Sequence, residues 1–308
     1  MWNKYIAIAL VGILALAGCQ KIEEPIEEEP EVGPEQLAGS YTLTIEATKG
    51  VDTKALKLDD GTLNAYWRTD ETVAVYLGGA YKGLLTATVN PSDNTWATLS
   101  GTLDNVDGVV ADAVLTLLFP RAEWDYTGQK GTPPNALGTL AKEYDYALAS
   151  VTVASVSGSV VTTTGGANFA NQQSIYRFSF KEVGSDDVLG AKGFTVTSAN
   201  NALVRTRSWS GDAWTDTPGS ITVTAASTLA LTYASLRNTL VSPSNPNDNT
   251  PVDTYSFSVI GSDNALYLGS KDIPASVLDA QGKYITAENI PVTKSNLAQP
   301  SGTATEVW

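Results

Sequence analysis

From Ser40 to Ala47 the side chains alternate. Tyr41, Leu43 and Ile45 share one face, and Thr42, Thr44 and Glu46 share the other. A period of two is the signature of a half-buried strand, because successive strand side chains point to opposite faces. The pattern recurs at Leu63–Trp67, Val73–Leu77, Leu84–Val89, Ala97–Leu103, Val151–Val153 and Val160–Thr164. Val114–Phe119 is a nearly continuous apolar run and reads as a strand buried on both faces. Turn residues separate these segments, at Asp59-Asp60-Gly61, Gly78-Gly79, Asn90-Pro91-Ser92-Asp93-Asn94 and Ser157-Gly158. No segment has a convincing helical period, and a short helical turn is expected only at Ala275–Asp279. Short strands at close intervals with Gly, Asn, Asp and Pro between them predict an all-β chain of sandwich type.

The chain divides in style near residue 170. Asn168–Gln173 is polar around Phe169, and a new strand with Tyr176, Phe178 and Phe180 in register starts at Ser174. Two domains are expected, at 40–170 and 171–308. Residues 120–150 read as an irregular surface excursion. Trp209-Ser210-Gly211-Asp212-Ala213-Trp214 reads as a tight hairpin with tryptophans facing across it. Ser242–Thr254 is a polar loop.

Several chemistries lack their usual parts. There is no histidine and a single cysteine, which removes the commonest general base, metal ligand and thiol nucleophile. No enzyme activity and no cofactor are expected. The net charge of −14, with no basic patch to offset it, argues against a nucleic-acid partner. Glu123 with Asp125, and Glu143 with Asp145, are spaced as carboxylate pairs, and read as solvated side chains. Gly165-Gly166 lacks the framing of a phosphate loop. Asn245, Asn247, Asp248 and Asn249 offer oxygens without a calcium-loop spacing. Trp209 and Trp214 fit packing on each other better than stacking on a sugar.

The N-terminus reads as an export signal. Lys4 precedes an apolar stretch, Tyr5–Leu16, which ends in Leu16-Ala17-Gly18-Cys19. That ending is the lipobox pattern, in which residues 1–18 are removed and Cys19 becomes the acylated first residue. The apolar stretch is too short to span a bilayer, which takes about 20 residues. Gln20–Gln36 holds seven glutamates, one lysine and three prolines, and residues 19–39 are expected to be an acidic tether.

Four segments carry a resemblance to a known family. They are Leu16-Ala17-Gly18-Cys19 with its acidic follower; Thr53-Lys54-Ala55-Leu56 with Trp67 and Asp70–Tyr76; Phe119-Pro120-Arg121, Tyr126–Gln129 and Tyr144–Ala147; and Phe169-Ala170-Asn171 with Ile175–Phe180. Together they resemble the fimbrillin family, the subunits of the type V fimbriae of Bacteroidetes. The resemblance implies two tandem β-sandwich domains of transthyretin-like topology. It also implies a lipoprotein held in the outer membrane through Cys19, displayed at the cell surface, and joined to other fimbrial subunits and to an adhesion receptor. Proteolysis would free the first strand, and a neighbouring subunit would donate a strand in its place. In the best-known members the protease is arginine-specific. Here the first arginine after Cys19 is Arg68, beside Trp67, so the candidate processing sites are Lys49 and Lys54, in a loop expected after Ala47. The candidate donor strand lies in 298–308 and ends in Ala304, Thr305, Glu306, Val307 and Trp308. The alternative is a monomeric surface lipoprotein that binds glycans.

Overall fold

A computed structural model describes residues 39–49, 57–59, 62–64, 66–120, 123–132, 146–172, 174–240, 250–278 and 284–296. Cys19, Lys54, the 245–249 loop, Glu143, Asp145 and the 298–308 segment lie outside the described residues. The described chain is all-β, as the alternation predicts. Its one helix, α1 (Ala275–Leu278), is a single turn of four residues.

The first half forms β1 (Tyr41–Lys49), β2 (Lys57–Asp59), β3 (Thr62–Asn64), β4 (Thr72–Leu77), β5 (Ala80–Val89), β6 (Trp96–Leu103), β7 (Val114–Phe119), β8 (Glu123–Asp125), β9 (Ala147–Ser157), β10 (Val160–Thr163) and β11 (Ala167–Asn171). β2 and β3 form a small hairpin. The expected strand through Trp67 ends at Asn64, and Trp67 follows it as a buried core residue. The large sheet is a ring. From β6 it runs through β5, β4, β7 and β9 to β10 and β11. β1 closes it, antiparallel to β6 from Tyr41↔Leu103 to Thr48↔Trp96. On its other side β1 runs parallel to β10 at Thr42 and Leu43, and to β11 from Ala47 to Lys49. Leu43, Ile45 and Ala47 point into a core with Val75, Leu85, Leu99, Leu117, Val153 and Phe169.

The chain passes to the second large sheet between Asn171 and Ser174. Its strands are β12 (Ser174–Glu182), β13 (Val188–Leu189), β14 (Ala191–Ser198), β17 (Ile221–Leu229), β18 (Thr232–Leu236), β19 (Pro251–Gly261), β20 (Leu266–Pro274) and β21 (Tyr284–Lys294); β15 (Val204–Trp209) and β16 (Trp214–Pro218) form the predicted tryptophan hairpin. The order is β13-β12-β21-β20-β19-β14-β17, with β18 also on β12. The in-register aromatics of β12 fill its core. Phe178 lies 5.2 Å from Phe194 and 5.5 Å from Phe257, ring centre to ring centre, both edge-on. Each such side chain contributes about 1.5–3 kcal/mol by leaving water.

This second sheet is open between β17 and β18, and the first half fills the gap. Residues 120–150 do not all run over the surface, as the sequence reading had it. β8 pairs with β15 in the register Asp125↔Thr206, Trp124↔Arg207, Glu123↔Ser208. Trp124 and Tyr126 are buried in the second core, while Glu123 and Asp125 face out. Gln129 then enters the gap. Its carbonyl accepts the Thr224 N–H at 2.8 Å on β17. Its side-chain amide meets β18 twice: Nε2 donates to the Ser235 carbonyl at 2.8 Å, and Oε1 accepts the Ser235 N–H at 2.7 Å. Gly131 follows at φ +69°, and its carbonyl accepts the Tyr233 N–H at 3.0 Å. A Cβ there would lie 2.6 Å from Thr232 Cγ2, so glycine is required on two counts. Three residues with an alternating pattern are too few to announce a strand, and their partner is remote in sequence, so this strap was not legible in advance.

Replacing Gln129 with Met keeps the volume and strands the Ser235 N–H and C=O in the core. The expected loss is about 2–5 kcal/mol, read as a drop in urea midpoint at unchanged slope.

Candidate functional site

The exchangeable element in the resemblance is the first strand, so the site begins with β1. Its alternation does not stop at Ala47. Thr48 continues the outward row, and Lys49 takes the fifth inward position after Tyr41, Leu43, Ile45 and Ala47. Lys49 therefore does not lie in a loop. It is the last strand residue and is 4% exposed. The strict repeat of two in the sequence was the signal for this placement.

A polar end wall receives the lysine. Nζ donates to Glu71 Oε2 at 2.8 Å and to the Tyr66 carbonyl at 3.3 Å. It lies 3.9 Å from the Phe119 ring centre and 4.5 Å from that of Trp67. Ring faces are electron-rich and attract a cation. Trp67 is held edge-on between Phe119 and Phe169, at 5.6 and 5.4 Å. The same Glu71 oxygen accepts the Arg68 N–H at 3.1 Å, which holds the carboxylate in place. Arg68 itself lies outside any strand, in the segment before β4.

A second polar cluster sits where strap and second half meet. Arg207 is buried, and its Nε and Nη2 donate to the two carboxylate oxygens of Asp216 at 2.6 and 3.2 Å. Its Nη1 donates to the Tyr146 hydroxyl at 3.0 Å, and its guanidinium lies 4.1 Å from the Trp214 ring centre. Tyr146 hydrogen-bonds Tyr126 through their hydroxyls. Burial pushes the Tyr126 hydroxyl well above its ordinary pKa, with Tyr146 beside it adding to the effect. Arg237 donates to the Gln172 carbonyl at 2.6 Å. The cluster is structural in character: every charged group in it faces another side chain or backbone of this chain.

Trp209 and Trp214 lie across the hairpin, 5.0 Å apart, and pack on Tyr76 and Trp124. They face each other and the core. Glu123 and Asp125 line a groove of about 440 Å³ with Thr206, Ser208, Thr215 and Thr217. Among the described residues, no three His, Cys, Asp or Glu side chains gather to hold a metal ion.

No protein-family model matches the chain. No curated protein matches it. Among solved structures it is similar to a candidate cell adhesion protein of Bacteroides uniformis, 14% identical over 82% of this chain and 96% of the other, with a TM-score of 0.44. A candidate cell adhesion protein of Bacteroides fragilis is 10% identical over 86% and 100%, with a TM-score of 0.41. A fimbrial protein of Bacteroides ovatus is 10% identical over 83% of this chain and 50% of its own, with a TM-score of 0.31. These three neighbours are adhesion and fimbrial proteins of Bacteroides. Overlaps with TM-scores this low carry no argument about activity.

Replacing Lys49 with Met leaves the Glu71 carboxylate without its cation, at a cost of about 2–3 kcal/mol, discounted because Glu71 is partly exposed. The Lys49→Met/Glu71→Met pair should regain most of that loss in a denaturant double-mutant cycle. At the end of β21, the hydrogen bond from Lys294, with those of the Ala265 amide and the Tyr267 hydroxyl, holds the Asp263 carboxyl from 3.8 down to about 2. A depressed folded-state value stabilises the fold above the ordinary value. That contribution should vanish as pH falls through about 2, with the carboxyl carbon's NMR titration giving the midpoint.

Proposed function

We propose that this chain is a cell-surface fimbrial subunit that serves adhesion and assembles with other subunits by exchange of its first strand. One observation supports this above others: β1 is the closing stave of the first ring, paired along both edges. Losing it would bare two rows of backbone donors and acceptors beside an apolar trough. An incoming strand satisfies both rows at once, with alternate side chains seated in the trough. Head-to-tail use of such a contact builds an open filament rather than a closed ring.

Within this reading the chain is exported as a lipoprotein, Cys19 holds it in the outer membrane, and residues 19–39 act as the tether. The two halves are β-sandwich domains of transthyretin-like topology, drawn as closed rings when β1 and the strap are in place. Release of β1 follows proteolysis beyond its end. Lys54 serves that role better than Lys49, whose side chain is buried and paired within the fold. Segment 298–308, ending in Ala304, Thr305, Glu306, Val307 and Trp308, is donated to a neighbouring subunit. The work is strand exchange and adhesion to a receptor, with no reaction catalysed.

Electron microscopy of cells carrying the chain tests this. Filaments that contain it, and that are lost on deletion of 298–308 or on Cys19→Ser, are the expected outcome. N-terminal sequencing of filament protein should place the mature start beyond Lys49. A solitary protein that keeps β1 and starts at Cys19 would overturn the reading.

A further inference from the structure

The wall around Lys49 bears on what can take the place of β1. Of the five inward positions on that strand, four face hydrocarbon. Apolar side chains of similar size replace one another in such sites at small cost. The fifth is different. There the Glu71 carboxylate, the Tyr66 carbonyl and the rings of Trp67 and Phe119 all present negative charge or the negative end of a dipole to one point. The Arg68 N–H holds the carboxylate oxygen at 3.1 Å, from residues that do not belong to β1. The receptor for the ammonium is therefore built into the groove and stays when the strand leaves.

We infer that the β1 groove ends in a cation pocket, and that a strand replacing β1 must bring a lysine or arginine to its fifth inward position. This rests on the strand-exchange reading and adds the identity of the incoming strand. A neutral side chain there would leave a partly buried carboxylate short of its partner, and an acidic one would be repelled. The chain's own segment Ser295–Trp308 contains no lysine or arginine. With Ala304 and Trp308 turned inward, Glu306 turns inward too; with Thr305 and Val307 inward, no charge enters at all. Neither register fills the pocket. The strand that fills it carries apolar residues at four alternating positions and a basic residue at the next.

The test keeps the full chain and inserts a site-specific protease sequence between Gly50 and Leu56. After cleavage, dye-labelled peptides compete for the groove: residues 41–49 as they stand, the same with Lys49→Arg, the same with Lys49→Gln, and residues 298–308. The first two should enter at least about tenfold better than the last two. On the Glu71→Gln chain, checked for folding by circular dichroism, the gap between the Lys49 and Gln peptides should close. Entry of the Gln peptide or the 298–308 peptide as readily as the native one, on the chain that keeps Glu71, would overturn the pocket's role alone. Failure of every peptide to enter would overturn strand exchange itself, and the pocket's role with it.

Discussion

One side-chain amide, that of Gln129, stands in for missing backbone. A peptide group in a sheet offers a donor on one edge and an acceptor on the other. Gln129 offers its own carbonyl to β17 and both atoms of its side-chain amide to Ser235 on β18. Gln129, with the Gly131 carbonyl on Tyr233, thereby closes the gap between β17 and β18. Buried backbone groups left without partners are costly, so closure of the second sheet depends on chain that comes before its first strand. The two large sheets share no strand, and the β8–β15 pairing and the strap join the halves.

The charged cluster beside the strap follows from the same geometry. Where Trp124, Tyr126 and Tyr146 enter the second half, they bring ring faces and two hydroxyls into a buried space. Arg207 lies over the Trp214 face, is bidentate to Asp216 and bonds the Tyr146 hydroxyl, which bonds that of Tyr126 in turn. Burying such a pair gains little net energy, because desolvation offsets the attraction. Its directionality is the more useful property, since a guanidinium fork accepts only one arrangement of partners. Slippage of β8 along β15 would take Trp124 off the rings of Tyr146 and Trp214.

β1 presents a contrast within one strand. Its first four inward residues are held by apolar burial, which is strong and indifferent to identity. Its last is held by charge and ring faces, which are weaker in sum and selective. A closing stave that must sit firmly, yet be distinguishable from other strands, has use for both kinds of contact.

The strand-rich character, the tryptophan hairpin and the turn at Gly158 were all legible from local pattern, because side-chain period and turn chemistry are properties of neighbours in the chain. Lys49 was half legible: the alternation pointed it inward, but its polarity suggested a loop, and only the end wall of Glu71, Trp67 and Phe119 makes burial tolerable. Trp124, Tyr126 and Gln129 were not legible, since a tripeptide strand has no periodicity to read and its partners lie on β15, β17 and β18. Local sequence determined which segments are strands and which faces are apolar. Tertiary structure decided which edges meet, because edge pairing joins residues far apart in the chain and depends on how each sheet is left open by the others.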